Sequence, residues 1–396
     1  MITKSSGPWQ RIWSATHTKI RYHHSQTTAH SQAQNTNRFR DDEFGSSNIR
    51  RGTTVIRLLV KIVVIVLLVV VPPIYRRFSS GDEQYQCTSL DTTTNIETST
   101  TTTTNQCFAN RNELKTAIDQ YMNEDCPNNN KHYCSVAKTY GYPINSWCTS
   151  NVNDMSELFD SMDNFDEDIS SWDTGNVTNM YGMFYKASSF AGDLNGWNVS
   201  SVKNMRSMFN GASLFSSDLN NWDTKSVTSM KYLFMDAYSF NGDVSSWNTS
   251  SVVDMDSMFS SAYMFNQPIG QWQVNSVTTM FQMFWDCREF DQDIGEWNTS
   301  SVQNMRSTFN GAIKFNSNLA GWSLKSVVTM KYFLWDAKSY NQNLCEWGKK
   351  SFPYDMAYNI FAGSGCTYQI TPQEEKMGPF CASDCFLSTL LKRDEL

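Results

Sequence analysis

The chain has 396 residues, a net charge of −7, 14% aromatic residues, 10 cysteines and only 5 histidines. Bases outnumber acids as far as Arg77, so the remainder is more acidic than the total, and such a surface repels the phosphates of nucleic acid. Beyond Arg77 the one histidine is His132, which leaves almost no material for a Ser-His-Asp, Cys-His or His-rich metal site.

Residues 1–54 are polar and aperiodic and are expected to form a disordered cytoplasmic tail. Residues 55–74 read V-I-R-L-L-V-K-I-V-V-I-V-L-L-V-V-V-P-P-I, long enough for a transmembrane signal anchor. Arg50, Arg51, Arg57 and Lys61 precede or open this run and outnumber Arg76 and Arg77 after it, predicting a cytoplasmic amino terminus. All ten cysteines follow the run, as do the sequons at Asn176, Asn198, Asn248 and Asn298, which suggests an oxidising, glycosylating compartment. The expectation is a single-pass type II membrane protein, with the lipid bilayer as one partner and the rest of the chain extracytoplasmic. Residues 75–106 hold the Thr-rich run Thr98–Thr104 and read as an O-glycosylated stalk. Residues 107–147 read as an amino-terminal cap, in which Glu113–Met122 is an amphipathic helix with Leu114, Ile118 and Met122 on one face. Cys107, Cys126, Cys134 and Cys148 are its disulfide candidates, with no pairing readable from spacing.

Residues 148–347 carry the strongest signal. Tryptophan falls at 147, 172, 197, 222, 247, 272, 297, 322 and 347, a step of 25 residues without insertion or deletion. Columns from Val177, Met180, Phe184 and Phe165 keep the same step, and a branched aliphatic follows the last by four residues, beginning at Ile169. A fixed period of this kind marks stacked units that bury their apolar edges against one another, so the Trp and Met columns read as core. The stretch Phe165–Trp172 suits a short strand and turn, and M-x-x-M-F at Met180–Phe184 suits a helical or 3₁₀ turn. The fold expected is an α/β repeat solenoid of leucine-rich-repeat type, eight coils each with one short parallel strand and one helical turn. A parallel β-helix is the alternative.

The unit F-N-x-D-I-S-x-W-D-T-S-x-V-T-x-M-x-x-M-F-x-x-A resembles the repeat of the bacterial surface protein A-like (BspA-like) leucine-rich repeat family over residues 148–347. Pro268, Cys287, Thr308 and Phe333-Leu334 depart from the pattern without breaking the period. The resemblance implies a surface or adhesion role and brings no catalytic residues. A longer period lies above the short one: V-K-N-M-R-S-M-F-N-G-A from Val202 returns as V-Q-N-M-R-S-T-F-N-G-A from Val302. Duplication of a four-coil block accounts for it.

Asp168, Asp193, Asp218, Asp243 and Asp293 form a column three residues after each aromatic, continued by Asn318 and Asn343. Stacked one coil apart, these carboxylates could take a divalent cation or a basic partner; alternatively each accepts backbone N–H groups in its own turn. Residues 348–391, with Cys345, Cys366, Cys381 and Cys385, read as a carboxyl-terminal cap. Residues 392–396 end in Arg393-Asp394-Glu395-Leu396, which resembles the K-D-E-L retrieval signal. The function expected is therefore non-catalytic and cofactor-free: protein or glycan binding at the cell surface, or the holding of partner or client proteins in the endoplasmic reticulum.

Overall fold

The computed structural model describes residues 106–128, 134–349, 351–376 and 378–385, all within one compact unit spanning residues 97–396. The tail 1–54, the run 55–74, nearly all of the stalk 75–106 and the terminal Arg393–Leu396 lie outside the described residues.

Neighbouring coils meet through single parallel bridges, Asp154 to Asn179, Asn179 to Asn204, and so on to Asn304 with Thr329. Among the described residues no strand grows beyond such a bridge, and of the three α-helices α1 (Arg111–Asn123) and α2 (Ala137–Tyr140) precede the repeats, while α3 (Cys345–Gly348) falls at the end of the last coil. The expected α/β architecture of leucine-rich type, with a strand and a helical turn in each coil, is thereby corrected.

The physical reason lies in where the backbone donors go. In the coil that opens at Met180, the N–H groups of Met180, Gly182, Phe184 and Lys186 donate to Asn204, Arg206, Met208 and Asn210 of the next coil at 2.7–2.9 Å. The intervening Met183, Tyr185 and Ala187 donate three residues back, to Met180, Gly182 and Phe184. A helix needs consecutive right-handed residues bonded to i−4. Here Gly182 and Lys186 have φ of +57° and +56°, and the same two positions are left-handed in every coil of the array. M-x-x-M-F thus folds as overlapping turns, a turn run whose alternate donors point along the stack. The stretch Phe165–Trp172, expected as a strand, is likewise held by turns, with Trp172 N–H on Ile169 O at 3.1 Å.

The membrane expectation is also corrected: among the described residues no helix is long and apolar enough to cross a membrane. The run 55–74 to which it was assigned is not among them.

The Trp, Met and both Phe columns are buried. Phe184 stacks on Phe209 at 5.4 Å and 3°, and Trp222 on Trp247 at 6.0 Å and 3°. Each column indole also donates its N–H out of the coil: Trp247 Nε1 reaches Leu219 O at 2.8 Å, and Trp172 to Trp347 all bond the aliphatic residue 28 positions earlier. A phenyl ring would fill much of this space but could not donate.

Both ends are closed. Helix α1 buries Leu114, Ala117, Ile118 and Tyr121, and the Tyr121 ring meets Trp147 edge-on at 5.6 Å. Its start is fixed reciprocally: Asn110 Oδ1 accepts from Glu113 N–H at 3.1 Å, and Glu113 accepts from Ala109 N–H at 2.7 Å. At the far end Trp347 stacks on Phe352, which meets Phe380 edge-on at 4.9 Å. Disulfides join Cys107 to Cys148 and Cys126 to Cys134 in the first cap, Cys345 to Cys385 and Cys366 to Cys381 in the second.

Trp247→Phe should cost roughly 1 kcal/mol, the net worth of one hydrogen bond, and Trp247→Ala about 3–5 kcal/mol, a large aromatic lost from a packed core. Denaturant melts of the two variants measure the difference; a Phe variant as stable as the wild type would show that the indole bond contributes nothing.

Candidate binding surface

The turn runs lie side by side, and the residues two, five and six places after each first Met occupy equivalent positions in successive coils. In the coils beginning at Met205, Met255 and Met305 these are small: Ser207, Asn210, Gly211; Ser257, Ser260, Ser261; Ser307, Asn310, Gly311. In the coils between they are larger: Tyr232, Met235, Asp236; Gln282, Trp285, Asp286; Tyr332, Trp335, Asp336. Ser257, Ser260 and Ser261 are buried, whereas Trp335 is 40% exposed. The face is corrugated, with ridges on alternate coils about 9.6 Å apart, twice the ~4.8 Å separation of hydrogen-bonded neighbours.

Trp285 and Trp335 are the tryptophans outside the column among the described residues, two coils apart on this face. The column indoles all bond carbonyls, but among the described residues these two have no hydrogen-bond acceptor at Nε1. The sequence carries a signal for them: two tryptophans off the 25-residue register, two coils apart, alternating with Asn210, Ser260 and Asn310.

Charged groups flank the ridges. Lys231 Nζ lies 3.0 Å from Asp256 and 4.0 Å from Asp254. Asp256 also accepts the Phe281 N–H at 3.1 Å and the Thr279 hydroxyl, so its buried carboxylate is fully engaged. Burial opposes the Lys231 cation, but the hydrogen bond and charge of Asp256, then the charge of Asp254, outweigh it and hold its pKa above the ordinary lysine value. Burial pushes the Asp236 carboxyl up, against a hydrogen bond from Ser261. Arg288 grips Asp286 through two nitrogens, at 2.8 and 3.0 Å, and lies 4.1 Å over the Tyr263 ring, itself stacked on Tyr238 at 5.0 Å.

The acids singled out in the sequence lie apart from this face's ridges. Asp168, Asp193, Asp243 and Asp293 each accept, through Oδ1, the N–H two residues on at 2.9–3.1 Å, and Asp218 accepts the Asp243 N–H at 2.9 Å. Asn318 and Asn343 do the same for Ala320 and Cys345. Apart from Asp218, which bonds to the next coil, the column is a run of Asx-turn acceptors.

Three of the four sequon asparagines share one geometry. Asn198, Asn248 and Asn298 are exposed, and each Oδ1 accepts the N–H of the serine two residues on at 3.1 Å. Asn176 differs: its Nδ2 donates to Ser150 O at 2.8 Å. All eight disulfide candidates are paired, and the buried Cys287 is a free thiol whose pKa burial raises.

Because the native Lys231 pKa is raised, the stability it contributes is fully present below the unfolded lysine value, about 10.4, and is lost as the pH rises through the native one. Lys231→Gln should therefore unfold at lower denaturant than the wild type at pH 7, with the gap narrowing at strongly alkaline pH. Parallel melts across that range check it, and a constant gap would count against the linkage.

No curated protein and no solved structure matches the chain. One family model matches it four times in overlapping stretches, residues 82–195, 128–240, 190–289 and 268–370, as a repeat array would produce. Together these matches span well over half of the sequence, and the chain belongs to the family described as "Mycoplasma protein of unknown function, DUF285".

Proposed function

We propose that the repeat array is a non-catalytic binding scaffold whose corrugated face takes an extended protein or glycan ligand. The observation that carries this reading is the pair of off-register tryptophans, Trp285 and Trp335, which stand two coils apart and whose indole donors bond no carbonyl among the described residues. Rigid aromatic rings with a polar tip supply contact area at low entropic cost, which is why Trp and Tyr anchor so many interfaces. Turn runs tied to both neighbours by backbone bonds hold those rings in place before any ligand arrives.

Two further features support it. The likeness of the repeat to the BspA-like surface family points toward recognition, and an array of equivalent coils offers the long surface on which repeat proteins bind partners. The four disulfides closing its ends suit an oxidising compartment such as the space outside a cell.

The test is retention of labelled full-length protein on arrays of peptides and oligosaccharides. Binding to at least one class is expected, falling at least about tenfold in the Trp285→Ala/Trp335→Ala double variant. Far-ultraviolet circular dichroism would confirm that the variant keeps its fold. Absence of binding to either array, or binding indifferent to both tryptophans, would overturn the reading.

A further inference from the structure

The duplicated block places one cation pair twice in the stack and neutralises it once. Arg206 and Lys231 occupy the position after the first Met in adjacent coils, and Arg306 and Lys331 repeat them in the second block. Each arginine lies over the ring of the tyrosine next to its partner lysine, Arg206 over Tyr232 at 5.5 Å and Arg306 over Tyr332 at 5.7 Å.

The two pairs have different neighbours in the next coil. The N–H groups of Met230 and Tyr232 bond Asp254 O and Asp256 O, whereas those of Met330 and Tyr332 bond Met356 O and Tyr358 O. Backbone register therefore makes Met356 the counterpart of Asp254, and Tyr358 the counterpart of Asp256. Lys231 thus has two carboxylates from the next coil, while the residues at the two equivalent positions beside Lys331 are a methionine and a tyrosine. Among the described residues neither Arg306 nor Lys331 has a carboxylate within ion-pair distance.

Both cations line a depression of ≈ 370 Å³ whose walls include Asn304 and Thr329, with Phe281, Val328 and Met356 supplying apolar surface. Asp256 also lines it, and its carboxylate is taken up by Lys231, the Thr279 hydroxyl and the Phe281 N–H. Tyr332 connects it to the ridge, its ring 5.2 Å from Trp335 and 6.0 Å from Tyr358. Two cations without an ion pair in a chain of net charge −7 are a local reversal of sign that attracts an anionic partner, and the one acid lining the depression, Asp256, is already paired with Lys231.

We propose that this depression binds an acidic peptide segment of a partner protein, with an Asp or Glu carboxylate taking toward Lys331 the place that Asp256 takes toward Lys231. The first block is the template for the occupant: there a peptide carboxylate already sits on the equivalent lysine at 3.0 Å, anchored by a backbone N–H and a hydroxyl. Arg306 adds a second cation, and its planar fork suits a carboxylate. The inference rests on the binding-scaffold reading and names the ligand chemistry for the carboxyl-terminal end of that face.

The experiment uses the full chain and a fluorescein-labelled peptide of alternating Asp and Ser, with the Asn/Ser peptide of equal length as control, read by fluorescence anisotropy. The acidic peptide should bind, the control at least about tenfold more weakly, and added salt should weaken binding, since exposed charges are screened. Arg306→Gln/Lys331→Gln should cost at least about tenfold, as loss of a charge-assisted contact does. Tyr358→Asp, which supplies from within the chain the carboxylate that Asp256 supplies to Lys231, should weaken the peptide comparably while keeping the fold.

Acidic-peptide binding unchanged by both the Gln pair and Tyr358→Asp overturns the proposal, as does equal binding of the Asn/Ser control. If an acidic oligosaccharide binds with the same dependence on Arg306 and Lys331 and the peptide does not, the peptide assignment is overturned in favour of a glycan. If neither acidic probe binds but other array members do so through Trp285 and Trp335, this inference falls and the scaffold reading stands. Failure of every array ligand removes both.

Discussion

Every second N–H of a turn run is committed to the neighbouring coil, and the rest of the array depends on that. Donors at Met180, Gly182, Phe184 and Lys186 meet carbonyls 24 residues ahead. One residue more or less in a coil would set these donors against the wrong carbonyls and rotate the core columns out of line, as a register slip does in a sheet. The array changes step only at its end, where Met330, Tyr332, Leu334 and Asp336 reach 26 residues ahead, beyond the segment containing α3. That coil is also where the disulfides to Cys345 and Cys366 take over part of the constraint.

Side chains reinforce the same direction. The indoles from Trp172 to Trp347 bond backward by 28 residues, and the Thr174 hydroxyl bonds forward to Asn198 O at 3.0 Å, so these polar groups close to the core are satisfied between coils. Each coil therefore depends on its neighbours, and the exposed faces at both ends must be covered, which Tyr121 and Phe352 do with aromatic edges and faces. Because the backbone and core use only part of each coil, the outward positions of the turn runs are free to vary. Their alternation of small and large residues leaves the stack undisturbed and creates the ridges.

Much of the architecture's content was legible in residues such as Trp172, Met180 and Phe184: the 25-residue repeat, the membership of the core and the presence of end caps with disulfides. Their local conformation was not. M-x-x-M-F has helical spacing, yet Gly182 and Lys186 are left-handed, and alternate donors go to the next coil, which breaks the continuous ladder that a helix needs. Spacing reports which side chains share a face, and overlapping turns and a helix both bring residues three and four apart together. The acids from Asp168 to Asp293 stand out as a column in the sequence, but the choice between a cation and a turn acceptor needed the backbone beside each carboxylate. Trp285 and Trp335 stand out in the sequence as two tryptophans off the register and two coils apart, but periodicity does not say on which face they lie, which depends on the turns that carry them.

By itself the sequence determined the repeat length, the buried columns, the acidic balance and the set of cysteines, since these depend on composition and periodicity alone. Only the tertiary structure decided that turns replace strand and helix, which cysteines pair, that the ridges fall on alternate coils, and that Lys231 is compensated where Lys331 is not. Each of those depends on which groups from different coils come within a few ångströms, and that register is set by hydrogen bonds between residues 24 to 28 positions apart.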